Sequence, residues 1–481
     1  QTNTVTWIEA KRLVRPNQLE ALVRWAAAAP ELCFDYEGGG EDEGNALDTR
    51  RGARSFMAGF YAPDKGAKVV DLRLTGEQGL QAVRDAMSKR TGLTIGHNLK
   101  HEVHHSKALG FEIGGKLWDN QAAFFALDER EKSLAQDSLV HKYLKRATPQ
   151  CDALHSWMEG TLGTAKRGHE LNPMALEVPY NCEDVTDSWD LYKFVRPLVE
   201  REGLLDVAEV DGELVRAICD MEDTGLAFDS VRAEQLIAEF GKMLGDAYRN
   251  IRELVGHDID LGSSESLFRL FYGDLKLPMY EERRGSLDDE VLHWFMDQPQ
   301  CTDKAKEIIT GIDLWIELDK LKGTYLMPWT YEHAIKGRLH PNLHANRVRT
   351  RRFSGSNPNL QNVPNRTKLG RMLRECLIAD SDWTVYSADY SQVEYRCFGH
   401  YSGEPAILKA YRTDPLADFH REVGLLIGLL RDLAKHTNFG ILYGMGLDKL
   451  ARKLRCTRAR AEQIMKQYHA RIPTLKALKS R

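Results

Sequence analysis

Disulfide and zinc chemistry find little footing in this sequence. Its eight cysteines are scattered, with no CxxC pair, so neither a disulfide framework nor a zinc site is indicated. A reducing cytoplasm is the natural setting. No apolar run approaches the length of a membrane span, and the first residues lack the charged-then-apolar pattern of a signal peptide, so no membrane partner is expected. A strong net charge is missing too. The formal total is −4, which by itself does not suggest a nucleic-acid partner. What remains is an ordinary soluble composition, 42% hydrophobic and 28% charged. At 481 residues the chain exceeds what one core supports, so about two to four domains are expected.

The distribution of charge says more than its total. From Arg347 to Arg374 there are eight Lys/Arg and no Asp/Glu; from Arg431 to Arg481 there are thirteen against three. Local basic stripes of this kind, interleaved with Asn, Gln and Ser, make an electrostatic footprint for a phosphate backbone.

Three stretches carry paired chemistry. Glu31–Glu37 (ELCFDYE) alternates, so Leu32, Phe34 and Tyr36 share one face of a strand while Cys33, Asp35 and Glu37 share the other. Two carboxylates projecting together could share a pair of divalent ions. Asn98 and Glu102 lie four apart in a predicted helix start, and Tyr180 and Asp184 repeat that spacing on a helical face. Asp119 opens another apolar helix and reads as structural. Farther on, Thr384–Tyr390 alternates like a short strand, with Asp389 at its end and a helical run bearing Gln392, Glu394 and Arg396 after it. Arg431, Lys435, Phe439 and Tyr443 are each four residues apart, so all four are expected to look out from one broad helix face. Two cations followed by two aromatics suit a ligand with phosphates at one end and a flat base at the other.

At these residues a resemblance enters. ADYSQVEYR resembles motif A of the family A DNA polymerases (the bacterial polymerase I type), and RDLAKHTNFGILYG fits every fixed position of their motif B, RxxxKxxxFGxxYG. The resemblance implies that Asp389 is catalytic and binds Mg²⁺, and that Glu394 crowds the sugar 2′ position and excludes ribonucleotides. Arg431, Lys435 and His420 of DFH would hold the triphosphate, Phe439 would pack on sugar and base, and Tyr443 would support the templating position. Gln392 is grouped with these dNTP-contacting residues. GRLHPNLHANRVRTRRFSGSNPNLQNVPNR resembles the segment that lies along the primer–template duplex. There Arg352 would read the minor groove and Asn359, Gln361 and Arg366 would make further DNA contacts, with Arg396 added from motif A. Minor-groove acceptors vary little between base pairs, so a donor there checks pairing geometry without reading sequence. Arg351 stands where the family has glycine, and its charge is expected to strengthen backbone contact.

DxE, NxxxE and YxxxD in that order resemble the three motifs of proofreading 3′–5′ exonucleases. By that resemblance Asp35, Glu37, Glu102 and Asp184 hold two metal ions (Mg²⁺, with Mn²⁺ able to stand in) and Tyr180 orients the attacking water. Glu102 replaces the usual Asp; the extra methylene moves the metal, and slower proofreading is expected.

The implied architecture is α+β and multidomain: a ribonuclease-H-like exonuclease domain over 1–203, then a right-hand polymerase domain over 204–481. The thumb would span about 232–336, the palm about 337–410 and the fingers about 411–481, the last two incomplete. Gly225 is expected to end a helix, hydroxyl residues of LGSSESLFRLF to cap one, and Met and Trp of LDKLKGTYLMPW to lie in the core. Gly38–Glu43 is expected to be a surface loop. The partners implied are primer–template DNA and dNTPs, acting on a monomer that lacks an upstream 5′ nuclease, as in phage enzymes or a trimmed large fragment. The family's motif C, a His-Asp-Glu turn supplying the second palm carboxylate, does not occur in the sequence, and the join GLLIGLLRDLAK is several residues shorter than the family's. Two-metal transfer needs that carboxylate, so these residues alone are not expected to polymerise. The alternatives are a non-polymerising DNA-binding protein with exonuclease activity only, and a single-subunit RNA polymerase, against which Glu394 and the exonuclease motifs argue.

Overall fold

The computed structural model describes residues 12–39, 48–164, 171–280, 287–454 and 456–474. Most of the expected Gly38–Glu43 loop lies outside them. The chain divides into two compact units, Gln1–Trp383 and Thr384–Arg481.

The first unit is built on a strand that is buried on both faces. β1 (Glu31–Gly39) pairs antiparallel with β2 (Arg54–Ala62), which pairs antiparallel with β3 (Gly66–Asp71). On its other side β1 runs parallel to β4 (Leu93–Gly96), and β4 parallel to β5 (Lys116–Asp119). The sheet order is therefore β3-β2-β1-β4-β5. The alternation of β1 sorts its side chains as the sequence requires. Leu32, Phe34 and Tyr36 enter one core with residues of α1 (Leu19–Ala28), α2 (Leu72–Ser88, broken at Gly76) and α3 (Lys100–Ala108). Cys33 enters the core on the opposite face, with α4 (Asn120–Leu127) and the long α6 (Met174–Arg201); α5 (Pro149–Leu162) precedes α6 and packs on it.

Short polar side chains start these helices by accepting orphan amides. Asp119 accepts from the amides of Gln121 and Ala122 to open α4, and also from those of Asn98 and Leu99. Its structural reading holds. Helix α7 (Leu205–Thr224) ends at Gly225, whose φ is +59°. A residue with a Cβ is disfavoured there, and the expected stop is met. Although it follows residue 204, α7 packs against β5 and α3 and adds Val215 and Cys219 to the first core.

Beyond it, α8 (Ser230–Val255), capped by Asp229, packs along α9 (Asp303–Lys320), capped by Thr302. Ser263 caps the helix at Ser264–Phe268, as its sequence predicts. Trp329 is fully buried, whereas Met327 is 39% exposed and corrects the expectation that both lie in the core: it falls on the outward side of its turn. A small antiparallel sheet, ordered β11-β6-β8-β7, joins β6 (Leu226–Phe228), β7 (Ala334–Ile335), β8 (Arg338–Leu339) and β11 (Leu377–Ile378). β9 (Asn342–His344) pairs with β10 (Ser354–Ser356).

The second unit is helical: α10 (Val393–Ser402), α11 (Pro405–Thr413), α12 (Phe419–Ile427), α13 (Arg431–Leu442), α14 (Leu447–Lys453) and α15 (Arg458–Arg471). Its core gathers Tyr395, Phe398, Ile407, Phe419, Ile464 and Tyr468. The short join is a three-residue turn after α12, opened by Gly428 at φ +70°. One expectation fails here. Thr384–Tyr390 is exposed and forms no strand. A strand needs a ladder partner for its amides and carbonyls, and among the described residues none pairs with this segment.

Candidate metal and nucleotide sites

Asp35 and Glu37 point to the same side of β1, and Asp184 reaches them from α6. One carboxylate oxygen from each lies within 4.8 Å of the others. The amide of Asn181, one residue past Tyr180, donates to Asp35 Oδ2 and to Glu37 Oε1, each at 2.9 Å. Asp184 is held by Gln136, whose Nε2 donates to its backbone carbonyl at 2.9 Å and is itself fixed by Ser188. Glu102, on α3, is 2% exposed and one of its carboxylate oxygens has no hydrogen-bond partner.

Burial without a counter-charge drives every pKa here upward. Asp35 is pushed up to about 7 by desolvation, against bonds with Glu37 and Asn181. Desolvation and then the charge of Asp35 raise Glu37, Glu102 and Asp184. The charge of Asp184, one turn further along α6, raises the Tyr180 phenol more than burial does. Hard oxygen donors crowded where burial penalises their negative charge are the donor set of a divalent cation. These residues fit one. Asn98 stands apart from the acids in the residues it accompanies: with Lys100, Asp119, His344 and Arg347 it lines a cavity of about 490 Å³.

In the second unit, Asp418 caps α12 through the Arg421 amide and takes Arg431 Nε at 2.5 Å. Burial alone would raise its pKa; Arg431, the Arg421 amide and His420 hold it low. His420 is 1% exposed. Its Nδ1 meets Asn438 Nδ2 at 3.0 Å. Burial lowers its pKa, with Lys435 and Arg431 adding to the effect and Asp418 and Glu394 opposing it. The charges of Arg431, Lys435 and Glu394 therefore all act on one imidazole. Phe439 differs from the expected outward row. It is half-buried, its ring 5.1 Å from His420 and 5.8 Å from Tyr395, while Lys435 and Tyr443 are exposed. The Phe439 ring packs against the buried His420 and Tyr395 and joins the core, whereas Tyr443 lies just past the end of α13.

Gln392 and Arg396 are engaged locally. Gln392, at φ +53°, accepts from Tyr411 Oη and the Phe419 amide and donates to Ala417 O. Arg396 donates to Ser391 O and Pro415 O and lies 4.2 Å over the Tyr411 ring. Asp389 is exposed and belongs to no convergent group of three acidic, histidine or cysteine ligands among the described residues. In the first unit Arg352, Gln361 and Arg366 are exposed, and Asn359 caps the turn Leu360–Asn362. Arg351 corrects its expectation. Its guanidinium pairs with Asp211 of α7 and lies 5.8 Å over Phe125 of α4, so its charge is spent inside the unit.

Residues 230–481 match the family model for DNA polymerase family A, just over half of the chain. This chain belongs to DNA polymerase family A. Among curated family A relatives, DNA polymerase I of Thermus thermophilus is 30% identical over 283 residues, 56% of this chain and 33% of its own length. DNA polymerase I of Pseudomonas aeruginosa is 26% identical over 421 residues, 84% of this chain and 44% of its own length. The chain thus spans less than half the length of these relatives. The fold resembles a solved structure described as the POL domain of Pol1 from M. smegmatis in complex with DNA primer-template and dNTP. The TM-score is 0.79 at 20% identity, covering 97% of this chain and 77% of that one.

Sequence reasoning missed Asn181, Gln136, Asn438 and Asp418. Asp418 had a signal, since it opens the DFH triplet. Asn181 adjoins Tyr180 within YxxxD, but nothing in its spacing shows that it reaches β1.

Proposed function

We propose that this chain serves template-directed DNA synthesis, binding a primer–template and a matched dNTP, and that its first two hundred residues form a 3′–5′ proofreading exonuclease. The observation that carries the first part is the grouping of Arg431 on Asp418 and of Phe439 on the buried His420, with the charges of Arg431, Lys435 and Glu394 bearing on that imidazole, in a family A chain. Two cations from one helix, a buried imidazole whose pKa is lowered and a carboxylate beside it suit a triphosphate and a sugar edge. In this reading Phe439 presents its edge to the nucleotide, Tyr443 stands at the templating position and Asp389 holds Mg²⁺. Gln392 and Arg396 act by fixing the 391–392 and 411–419 segments on which the nucleotide rests. Arg352, Asn359, Gln361 and Arg366 contact the duplex.

The exonuclease reading rests on the acids. The strand of Asp35 and Glu37 sits centrally in a mixed sheet of order 3-2-1-4-5 with helices on both faces, which supports reading the domain as ribonuclease-H-like. Asp35, Glu37, Asp184 and Glu102 would hold two divalent ions, which activate water and neutralise the leaving 3′ oxyanion when bound. Asp184 and Tyr180 share a face of α6, the charge of Asp184 bears on the Tyr180 hydroxyl, and Gln136 fixes Asp184. The proposed domains are 1–203 for the exonuclease and 204–481 for thumb, palm and fingers.

The test uses a primer–template with Mg²⁺. A dideoxy-terminated primer should bind the template-matched dNTP in preference to mismatched dNTPs and to the matching ribonucleotide, and an ordinary 3′-labelled primer should be shortened. Shortening without nucleotide selectivity would overturn the polymerase reading, and preference for the ribonucleotide would assign an RNA polymerase instead. Selectivity without shortening would remove the exonuclease.

A further inference from the structure

Two carboxylates on one strand face repel each other, yet Asp35 and Glu37 converge in a buried site. Asn181 supplies what holds them. It is fully buried, and its Nδ2 donates at 2.9 Å to one oxygen of each acid. Its Oδ1 has no partner, an arrangement that costs free energy and so calls for a reason. The reverse orientation of the amide would turn an acceptor toward two anions, so the donor-inward orientation follows from the neighbours.

Strand β2 leaves room for this amide at one point. Gly59 stands opposite Asp35 in the β1–β2 register, and a Cβ there would lie 2.1 Å from Asn181 Oδ1. The glycine is required by close approach, not by its φ. A second property matters as much. An amide fixes two carboxylates through hydrogen bonds but adds no charge, whereas a lysine or arginine at this place would neutralise the site. One oxygen of each acid is engaged, and no positive charge is added to the site.

We propose that Asn181 is a positioning residue: its amide clamps Asp35 and Glu37 into a convergent pair for divalent cations, and Gly59 provides the space in which that amide sits. This rests on the exonuclease reading above.

The test measures Mn²⁺ binding to the full chain by the loss of the free-ion EPR signal, with no DNA and no turnover. Wild type should bind, and Asp35→Asn should weaken that binding. Asn181→Leu keeps the volume and removes the donor; Gly59→Ala keeps the donor and displaces it. Both should weaken Mn²⁺ binding tenfold or more while melting cooperatively in EDTA, and Asn181→Ser, with a single shorter donor, should fall between. Wild-type affinity in a folded Asn181→Leu or Gly59→Ala protein would overturn the role of Asn181 and leave the exonuclease reading standing. Should one variant fail to fold, the other decides. Absence of Mn²⁺ binding in wild type, or indifference to Asp35→Asn, would overturn the exonuclease reading and the clamp with it.

Discussion

Asp35 and Glu37 of β1, Glu102 of α3 and Asp184 of α6 come from three separate stretches of the sequence and share one burden of buried charge. Removing one ligand should cost far more than a surface contact would. We expect Asp35→Asn or Glu102→Gln to slow primer shortening by about a hundredfold or more, near 3 kcal/mol of transition-state stabilisation, as measured by release of 3′-terminal label. Another residue-level consequence concerns His344. Its Nε2 meets Ser356 Oγ at 2.9 Å across the β9–β10 pair. Burial, then the charges of Arg347 and Lys100, depress its pKa to about 4, with Glu222 opposing. A histidine whose folded pKa lies below its unfolded value near 6.5 binds fewer protons when folded. Stability should therefore fall as pH drops from about 6.5 toward 4. Melting temperatures at pH 7 and pH 5 should differ less in His344→Asn than in wild type; equal differences would exclude this residue as a source.

At the scale of elements, α3 carries opposed tasks on its two sides. Glu102 faces the buried acids, while Lys100 and His104 bind Glu222 of α7, at 3.0 Å and 2.7 Å. Lys100 Nζ also donates to Leu343 O, and the Leu343 amide donates back to Glu222. One buried carboxylate thus ties α3, α7 and β9 together. Burial works against the charge of His104, and its bonds to Asp223, Cys219 and Glu222 prevail, raising its pKa to about 11. Breaking a buried pair on one side leaves charges uncompensated. Glu222→Ala should lower unfolding free energy by about 3–5 kcal/mol in a denaturant titration, and should slow shortening because Glu102 rides on the same helix. Arg351 joins the same region from the other direction. At φ +57° it occupies a backbone region that favours glycine, and its bond to Asp211 offsets that cost. Arg351→Ala should destabilise the chain by about 1–3 kcal/mol, since Asp211 would lose its partner, whereas a purely DNA-contacting arginine would leave the melting temperature unchanged.

For the whole molecule, the two proposed chemistries rest on different elements and should separate genetically. Lys435→Ala should weaken matched-dNTP binding about tenfold or more, through loss of a charge-assisted contact worth about 1.5–3 kcal/mol, and leave shortening of a single strand unchanged. Asp35→Asn should do the reverse. A single substitution that removed both activities from a folded protein would contradict this division. The compact units divide at Trp383/Thr384, and α7, which follows the boundary suggested by the motifs, carries a stripe including Val215 and Cys219 that finds its apolar partners on the first sheet. Periodicity showed that the helix had an apolar face; it could not show what would cover it.

Sequence determined the chemistry at fixed spacing. Alternation in β1 set Asp35 and Glu37 on one side of a strand, the i, i+4 rule put Tyr180 against Asp184, and caps such as Asp119, Asp229 and Ser263 started helices where their side chains could reach orphan amides. Motifs A and B carried the family. Tertiary structure decided what depends on partners distant in the chain. It withheld a ladder from Thr384–Tyr390, drew Phe439 inward, committed Arg351 to Asp211 and set Asn181 between two acids more than 140 residues away. The physical reason is the same in each case. Local geometry is fixed by backbone dihedrals and nearest neighbours, whereas burial, pairing and charge neutralisation belong to whichever surfaces the fold brings together.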